Sequence, residues 1–230
     1  MKVISFSLYG NESKYTIGAI NNSKLHKKLF TDWEMRVYHN NTTSINILNE
    51  LKDNGVNLIN TNEDRGFINS TWRFFPLSEN VDYFISRDCD SRISERDEIA
   101  VSEWIESNKS FHIIRDHPVG HSWVINAGMW GGKGRIITNI KELMDNYIKN
   151  SANYNRNRTT DQMFLRDILY PIIKNDCLIH DEYYNYENIG IPIKRDRKID
   201  NFAFIGEAIA ENDLPLGDQR SPIIEKYYKK

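Results

Sequence analysis

Covalent bracing is scarce in this chain, which carries two cysteines and six prolines in 230 residues. Cys89 and Cys177 cannot make the disulfide framework of a small secreted domain, and a reducing cytoplasm is the expected setting. No apolar run approaches the roughly 18 residues of a membrane span, so no integral membrane segment is expected. The opening stretch Met1 to Leu8 is apolar but interrupted by Ser5 and Ser7, and it reads as a first strand, not as a signal peptide. Charge of one sign is also missing. Thirty basic and 32 acidic residues leave a formal net charge of -2, which argues against a general nucleic-acid binder and toward a small-molecule partner. The closing Lys226-Tyr227-Tyr228-Lys229-Lys230 is expected to be a frayed, solvated tail.

What is present is an ordinary globular composition, 40% hydrophobic and 27% charged, enough for one domain over 1–230 with a substantial core. Strand and helix patterns alternate, which predicts an α/β fold with a mixed, mostly parallel central sheet flanked by helices. Strands are expected over Lys2 to Leu8, Glu34 to His39, Val56 to Ile59, Val81 to Ser86, Phe111 to Ile114, Trp123 to Trp130, Cys177 to His180 and Phe202 to Ile205. Helices are expected over Lys14 to Phe30, Ser44 to Asp53, Ile68 to Leu77, Ser94 to about Ser107, Ile136 to Asn150 and Thr159 to Lys174. Gly131-Gly132-Lys133-Gly134 reads as a break. A polar, Asn/Arg-rich segment between the last two helices is expected to be mobile.

Asp88-Cys89-Asp90 follows the apolar run Val81 to Ser86 directly. If that run is a buried strand, both carboxylates leave its end on one side of the backbone. Aspartate oxygens suit magnesium, manganese or calcium, and a cation held by only two of them keeps positions open for a substrate phosphate. An EF-hand is excluded, because Ile93 and Ile99 stand where glycine and glutamate are required. An aspartyl phosphatase would carry the pair after its first strand, whereas here it follows about the fourth. His117 and His121 are four apart, but Pro118 and Gly120 make a helix improbable there, and with it a zinc pair.

Trp72-Arg73-Phe74, Asp82 to Asp90, Asn126-Ala127-Gly128, Asp161-Gln162 and His180, in that order, resemble the GT-A-fold nucleotide-sugar glycosyltransferases. The pattern is nearest to glycosyltransferase family 8 and to small viral and bacterial surface-glycan transferases, including a chlorovirus rhamnosyltransferase domain. The resemblance implies a nucleotide-binding half over 1–125 and a sugar- and acceptor-side half over 126–230. It implies that Asp88, Asp90 and His180 hold Mn2+ or Mg2+ against the diphosphate of a UDP-linked sugar, with Arg73 contacting the donor. Ser7, Leu8, Tyr9 and Tyr15 would receive uracil and ribose, Asp88 would also touch the nucleotide, and Asn126, Ala127, Gly128, Asp161 and Gln162 would face the sugar.

The implied activity is metal-dependent glycosyl transfer to a glycan acceptor, hexosyl or deoxyhexosyl, with a retaining course favoured. Asp116, Asp161 and Gln162 are the candidate catalytic residues, Asp116 or Asp161 being the base an inverting course would need. Gln162 also fits a helix capping box with Thr159. Two departures stand out. Arg87 precedes the acidic pair where relatives have an aliphatic residue, and the family's glycine-lysine motif after the histidine is missing, with Gly206, Lys194, Arg195 or Arg197 as substitutes. The alternatives are a metal-dependent phosphohydrolase or nucleotidyltransferase, and a silent sugar-nucleotide or glycan-binding module.

Overall fold

The computed structural model describes residues 1–150 and 158–229. The polar segment expected to be mobile falls largely on 151–157 and, like Lys230, lies outside the described residues. Seven strands form a single sheet in the order β3-β2-β1-β4-β6-β5-β7. They are β1 (Lys2–Leu8), β2 (Trp33–His39), β3 (Asn57–Asn60), β4 (Tyr83–Ser86), β5 (Phe111–Arg115), β6 (Trp130–Lys133) and β7 (Cys177–Asp181). All pairs are parallel except those made by β6, which runs antiparallel between β4 and β5. The ends of β1, β4, β5 and β7 therefore open on one edge of the sheet. At β1 the chain turns from building the sheet on one side to building it on the other, and the crevice between β1 and β4 is such a sheet's usual binding place.

The helices are α1 (Ser13–Leu29), α2 (Ile45–Asp53), α3 (Glu95–Glu106), α4 (Ile140–Asn150), α5 (Thr160–Phe164), α6 (Tyr170–Ile173) and α7 (Ser221–Tyr228). A π turn over Leu165–Leu169 joins α5 to α6, and a 3₁₀ helix over Gly66–Ser78 precedes β4. Helices cover both faces of the sheet. Val3 packs in one core with Phe74, Phe84, Ile113 and Trp130, and its neighbour Ile4 packs in the other with Phe6, Val37, Ile85 and Trp104. Burial on both faces explains why the central strands read as continuous apolar runs. As expected, Ser94 caps α3, its side chain accepting from the Asp97 amide.

Several expectations about elements fail, among them the strand expected over Trp123 to Trp130, of which only the last residue belongs to β6. The Gly131-Gly132-Lys133 run is a strand, not a break. A Cβ on Gly131 would stand 2.5 Å from the Phe84 carbonyl and one on Gly132 would stand 3.0 Å from the Phe111 ring, so glycine is what lets β6 fit between its neighbours. The preceding Trp123 to Met129 is irregular. Phe202 to Ile205 is not a strand, because Asn201 and Phe202 adopt left-handed backbone, with φ of 48° and 59°. The expected frayed tail is α7 as far as Tyr228, anchored by buried Ile223 and by Tyr227 packed edge-on against Phe202. No helix among the described residues is long and apolar enough to cross a membrane.

Candidate functional site

A cleft of about 500 Å³ opens past the ends of β1 and β4. Ser7, Leu8, Tyr9, Tyr15, Arg73, Asp88, Asp90 and Asp161, all expected site residues, line it. Two packing contacts shape its floor. Gly18 lets α1 close on the acidic loop, since a Cβ there would fall against the Cys89 carbonyl. Gly128 does the same from the other side, where a Cβ would stand 2.5 Å from Cγ of Asp88 and closer still to Oδ2. The chain therefore presses its Asn126-Ala127-Gly128 segment directly on the Asp88 carboxylate.

Arg73 is the electrostatic centre. Its amide donates to the Ser7 hydroxyl at 3.0 Å, and that hydroxyl donates to the Ser70 carbonyl at 3.1 Å, which docks the 3₁₀ helix on the end of β1. Its guanidinium bonds Asp88 with one nitrogen and Asp161 with another, the latter at 2.9 Å, and its buried Nε has no partner among the described residues. Burial opposes the charge on this arginine, but Asp88 and Asp161 hold its pKa above the ordinary value. Asp161 is pushed up by burial, with Arg73 working against the shift and Asp88 adding to it. Asp90 is likewise raised, first by burial and then by the neighbouring Asp88 charge. Tyr9 is raised to about 12, burial outweighing the pull of Arg73.

Asn126, Ala127 and Gln162 stand behind this wall. Gln162 accepts from the Ala127 amide at 2.9 Å and donates to the Ile125 carbonyl, while Ser86 donates to the Ala127 carbonyl at 2.8 Å. Gln162 is thus a staple between α5 and the segment that carries Gly128. The capping box is absent, since the Thr159 side chain makes no capping bond. Asn126 is buried and its side-chain amide nitrogen has no partner among the described residues.

Two expected site residues lie elsewhere. His180 is 1% exposed beneath α3. Its Nδ1 is hydrogen-bonded to His112 and its Nε2 to Glu103, both at 2.8 Å, so neither nitrogen points to the acidic pair. The reason is the strand's alternation, which turns this side chain into the core. Asp116 is 3% exposed and pairs with Arg96 through both oxygens at 2.8 and 2.9 Å, and with Arg197 at 2.6 Å. Burial works against its ionisation, but Arg197 and Arg96 prevail and hold its carboxyl below the usual range. It is the counter-ion that fastens the 193–205 segment to the sheet, not a group facing substrate.

The proposed substitutes for the missing glycine-lysine motif are equally occupied. Lys194 lies 3.6 Å from Glu103, Arg195 binds Asp200 and Glu95, Arg197 binds Asp116 and Glu182, and Gly206 packs against Met129. Arg87 is fully buried in a two-point pair with Asp97 at 2.6 and 2.9 Å and also donates to the Ser86 carbonyl at 2.7 Å. It fixes the acidic loop to α3 and leaves the cleft to others. Sequence reasoning missed Lys14, Phe67, Ser70 and Arg158 as lining residues. A lysine in the first turn of the helix after β1 was the one available signal.

Asp88 and Asp90 fit a hard divalent cation by donor chemistry, being two mutually repelling carboxylates on one wall of an open cleft. Among the described residues no group of three or more His, Cys, Asp or Glu side chains is placed to hold a metal, so the remaining positions would fall to water and ligand oxygens.

No protein-family model matches the chain, and no curated protein matches its sequence. Solved structures do. The galactosyltransferase LgtC, in complex with donor and acceptor sugar analogs, superposes with a TM-score of 0.51 at 13% identity over 79% of this chain and 73% of that one. An active-site mutant of LgtC gives 0.51 at 13% identity, over 86% and 81%. Glucosyl-3-phosphoglycerate synthase of M. tuberculosis gives 0.48 at 11% identity, over 87% and 74%. The chain has the GT-A fold, as the resemblance implied.

Proposed function

We propose that this protein transfers a sugar from a nucleoside diphosphate, UDP being the expected carrier, to a glycan acceptor. The observation that carries the reading is that Asp88, Asp90, Arg73 and Asp161 line one cleft at the switch point of a GT-A sheet. Asp88 and Asp90 would hold Mn2+ or Mg2+, and a cation bound there would offset charge developing on the leaving diphosphate. Ser7, Leu8, Tyr9 and Tyr15 would take the base and ribose, while Arg73 and Asp161, with the Asn126-Ala127-Gly128 segment behind them, would receive the sugar.

In the reaction the bond from the anomeric carbon to the diphosphate oxygen breaks and one to the acceptor oxygen forms. With Asp116 sealed in its ion cluster, Asp161 is the one expected base on the cleft wall, and its charge is already engaged by Arg73. That supports a retaining course, in which the leaving diphosphate oxygen accepts the acceptor's proton and Gln162 positions the wall. The complex of LgtC with donor and acceptor sugar analogs supports the same substrate class. Two free, buried thiols agree with a reducing, cytoplasmic setting.

The test is calorimetric titration with UDP, with and without Mn2+, followed by UDP release from a panel of UDP-hexoses and UDP-deoxyhexoses. Metal-dependent binding lost on replacing Asp88 and Asp90 by alanine, together with UDP release, is expected. Absent or metal-independent UDP binding would defeat the proposal, and orthophosphate release without UDP would turn it into a hydrolase.

A further inference from the structure

The cleft is short of positive charge for the ligand assigned to it. Its walls carry three cations, Lys14, Arg73 and Arg158, against the carboxylates of Glu12, Asp88, Asp90 and Asp161. Arg73 is committed to Asp88 and Asp161. Every basic side chain expected to replace the missing glycine-lysine motif is neutralised outside the cleft. Lys14 and Arg158 are different. Neither makes an ion pair or hydrogen bond among the described residues, yet both line the cleft. Lys14 stands in the first turn of α1, a turn without acidic side chains, where the helix dipole favours an anion. Its ammonium lies 4.5 Å from the Tyr15 ring centre and acts electrostatically on Asp90. Arg158 enters from the start of α5 and rests over Phe67, 5.8 Å from its ring centre.

We propose that Lys14 and Arg158 are the cationic grip on the diphosphate, supplying from two walls of the cleft the phosphate contacts that the missing motif would have given. The inference rests on the nucleotide-sugar reading. A divalent cation on Asp88 and Asp90 would offset those two carboxylates, Arg73 would stay paired with Asp161, and Lys14 and Arg158 are left to meet the phosphate oxygens. Both can donate charge-assisted hydrogen bonds, Arg158 with a planar fork and Lys14 as a point charge.

The experiment compares UDP with uridine, which has the base and ribose but no phosphate, in the presence of diamagnetic Mg2+. UDP is followed by calorimetry and uridine by ligand-observed NMR, for the unaltered chain, Lys14→Gln, Arg158→Gln, Lys14→Arg and the double glutamine variant. Each single glutamine variant is expected to weaken UDP about tenfold, from the loss of one charged hydrogen bond. The double variant should weaken it further, uridine should be unchanged, and Lys14→Arg should keep most of the affinity. The dependence of UDP affinity on salt should also become shallower. UDP affinity unaltered in the variants, or UDP and uridine weakened in parallel, would overturn the assignment. If the unaltered chain binds UDP and only the variants fail to discriminate, this inference falls alone. If the unaltered chain binds neither probe, the nucleotide reading falls and this inference falls with it.

Discussion

Alanine at position 128 should disable the cleft without disturbing the fold. Gly128 is not in the left-handed backbone region, so alanine is conformationally allowed and the perturbation is one methyl group. That methyl carbon would lie 2.5 Å from Cγ of Asp88, where ordinary contact begins at 3.4 Å. The carboxylate must therefore retreat by at least about 1 Å, and further at Oδ2, at least twice the roughly 0.5 Å tolerance of a functional constellation. Moving it also strains the bond to Arg73, whose other partner is fixed at 2.9 Å. Overpacking of this kind costs about 1–3 kcal/mol of stability, which the whole domain should survive. Loss of metal-dependent UDP affinity should be larger in effect, about 10- to 100-fold, as for other displaced supports of a metal site. Calorimetry with UDP and Mn2+ reads the affinity, and circular dichroism melting reads the fold. Gly128→Ala should behave like Asp88→Ala in the first and stay folded in the second. UDP binding equal to that of the unaltered chain would refute the argument that this glycine sets the carboxylate's position.

Asp116→Asn should destabilise the chain by about 3–5 kcal/mol, the usual result of unpairing a buried ion cluster, while the surviving folded fraction binds UDP normally; loss of binding without loss of stability would contradict its assignment as a counter-ion. His121, 4% exposed, accepts from the Asp116 amide at 2.9 Å through Nδ1, and burial lowers its pKa to about 3. Its unfolded form binds a proton at higher pH than its folded form, so stability is full above about pH 6.5 and declines as pH falls toward 3. That amounts to about 2 kcal/mol between pH 7 and pH 5. His121→Asn, which retains an acceptor, should flatten the slope of urea-measured stability by that amount, and an unaltered slope would count against the assignment. Gln162→Leu removes the two bonds this side chain makes to the Ile125 and Ala127 backbone, leaving the one from Ser86, and should speed amide exchange there while leaving β1 protected; uniform protection would show that Gln162 is not the staple.

The local rules of the chain reach a definite depth. Alternation of apolar runs with helix-like segments specifies β1, α1, β2, α2, β4 and α3, with a true cap only at α3, and the same patterns identify Asp88 and Asp90 at a strand end. Those rules stop where a residue's environment comes from far along the chain. Asp116 looks like any loop carboxylate until Arg96 and Arg197 are brought to it, the second from 81 positions away. Arg87 stands out as a charge where relatives have an aliphatic residue until α3 presents Asp97 to it. Two glycines in a row look like a break until the Phe84 carbonyl and the Phe111 ring occupy the space their side chains would need.

Neighbouring residues suffice to specify an α/β chain with an acidic pair at a strand end, because side-chain periodicity is a local property. Tertiary structure alone decided that the pair shares a cleft with Arg73, Asp161, Lys14 and Arg158, and that His180 turns away to meet Glu103 and His112. The direction of a side chain and the charge of its partners are fixed by packing between distant segments, and no spacing along the chain encodes them.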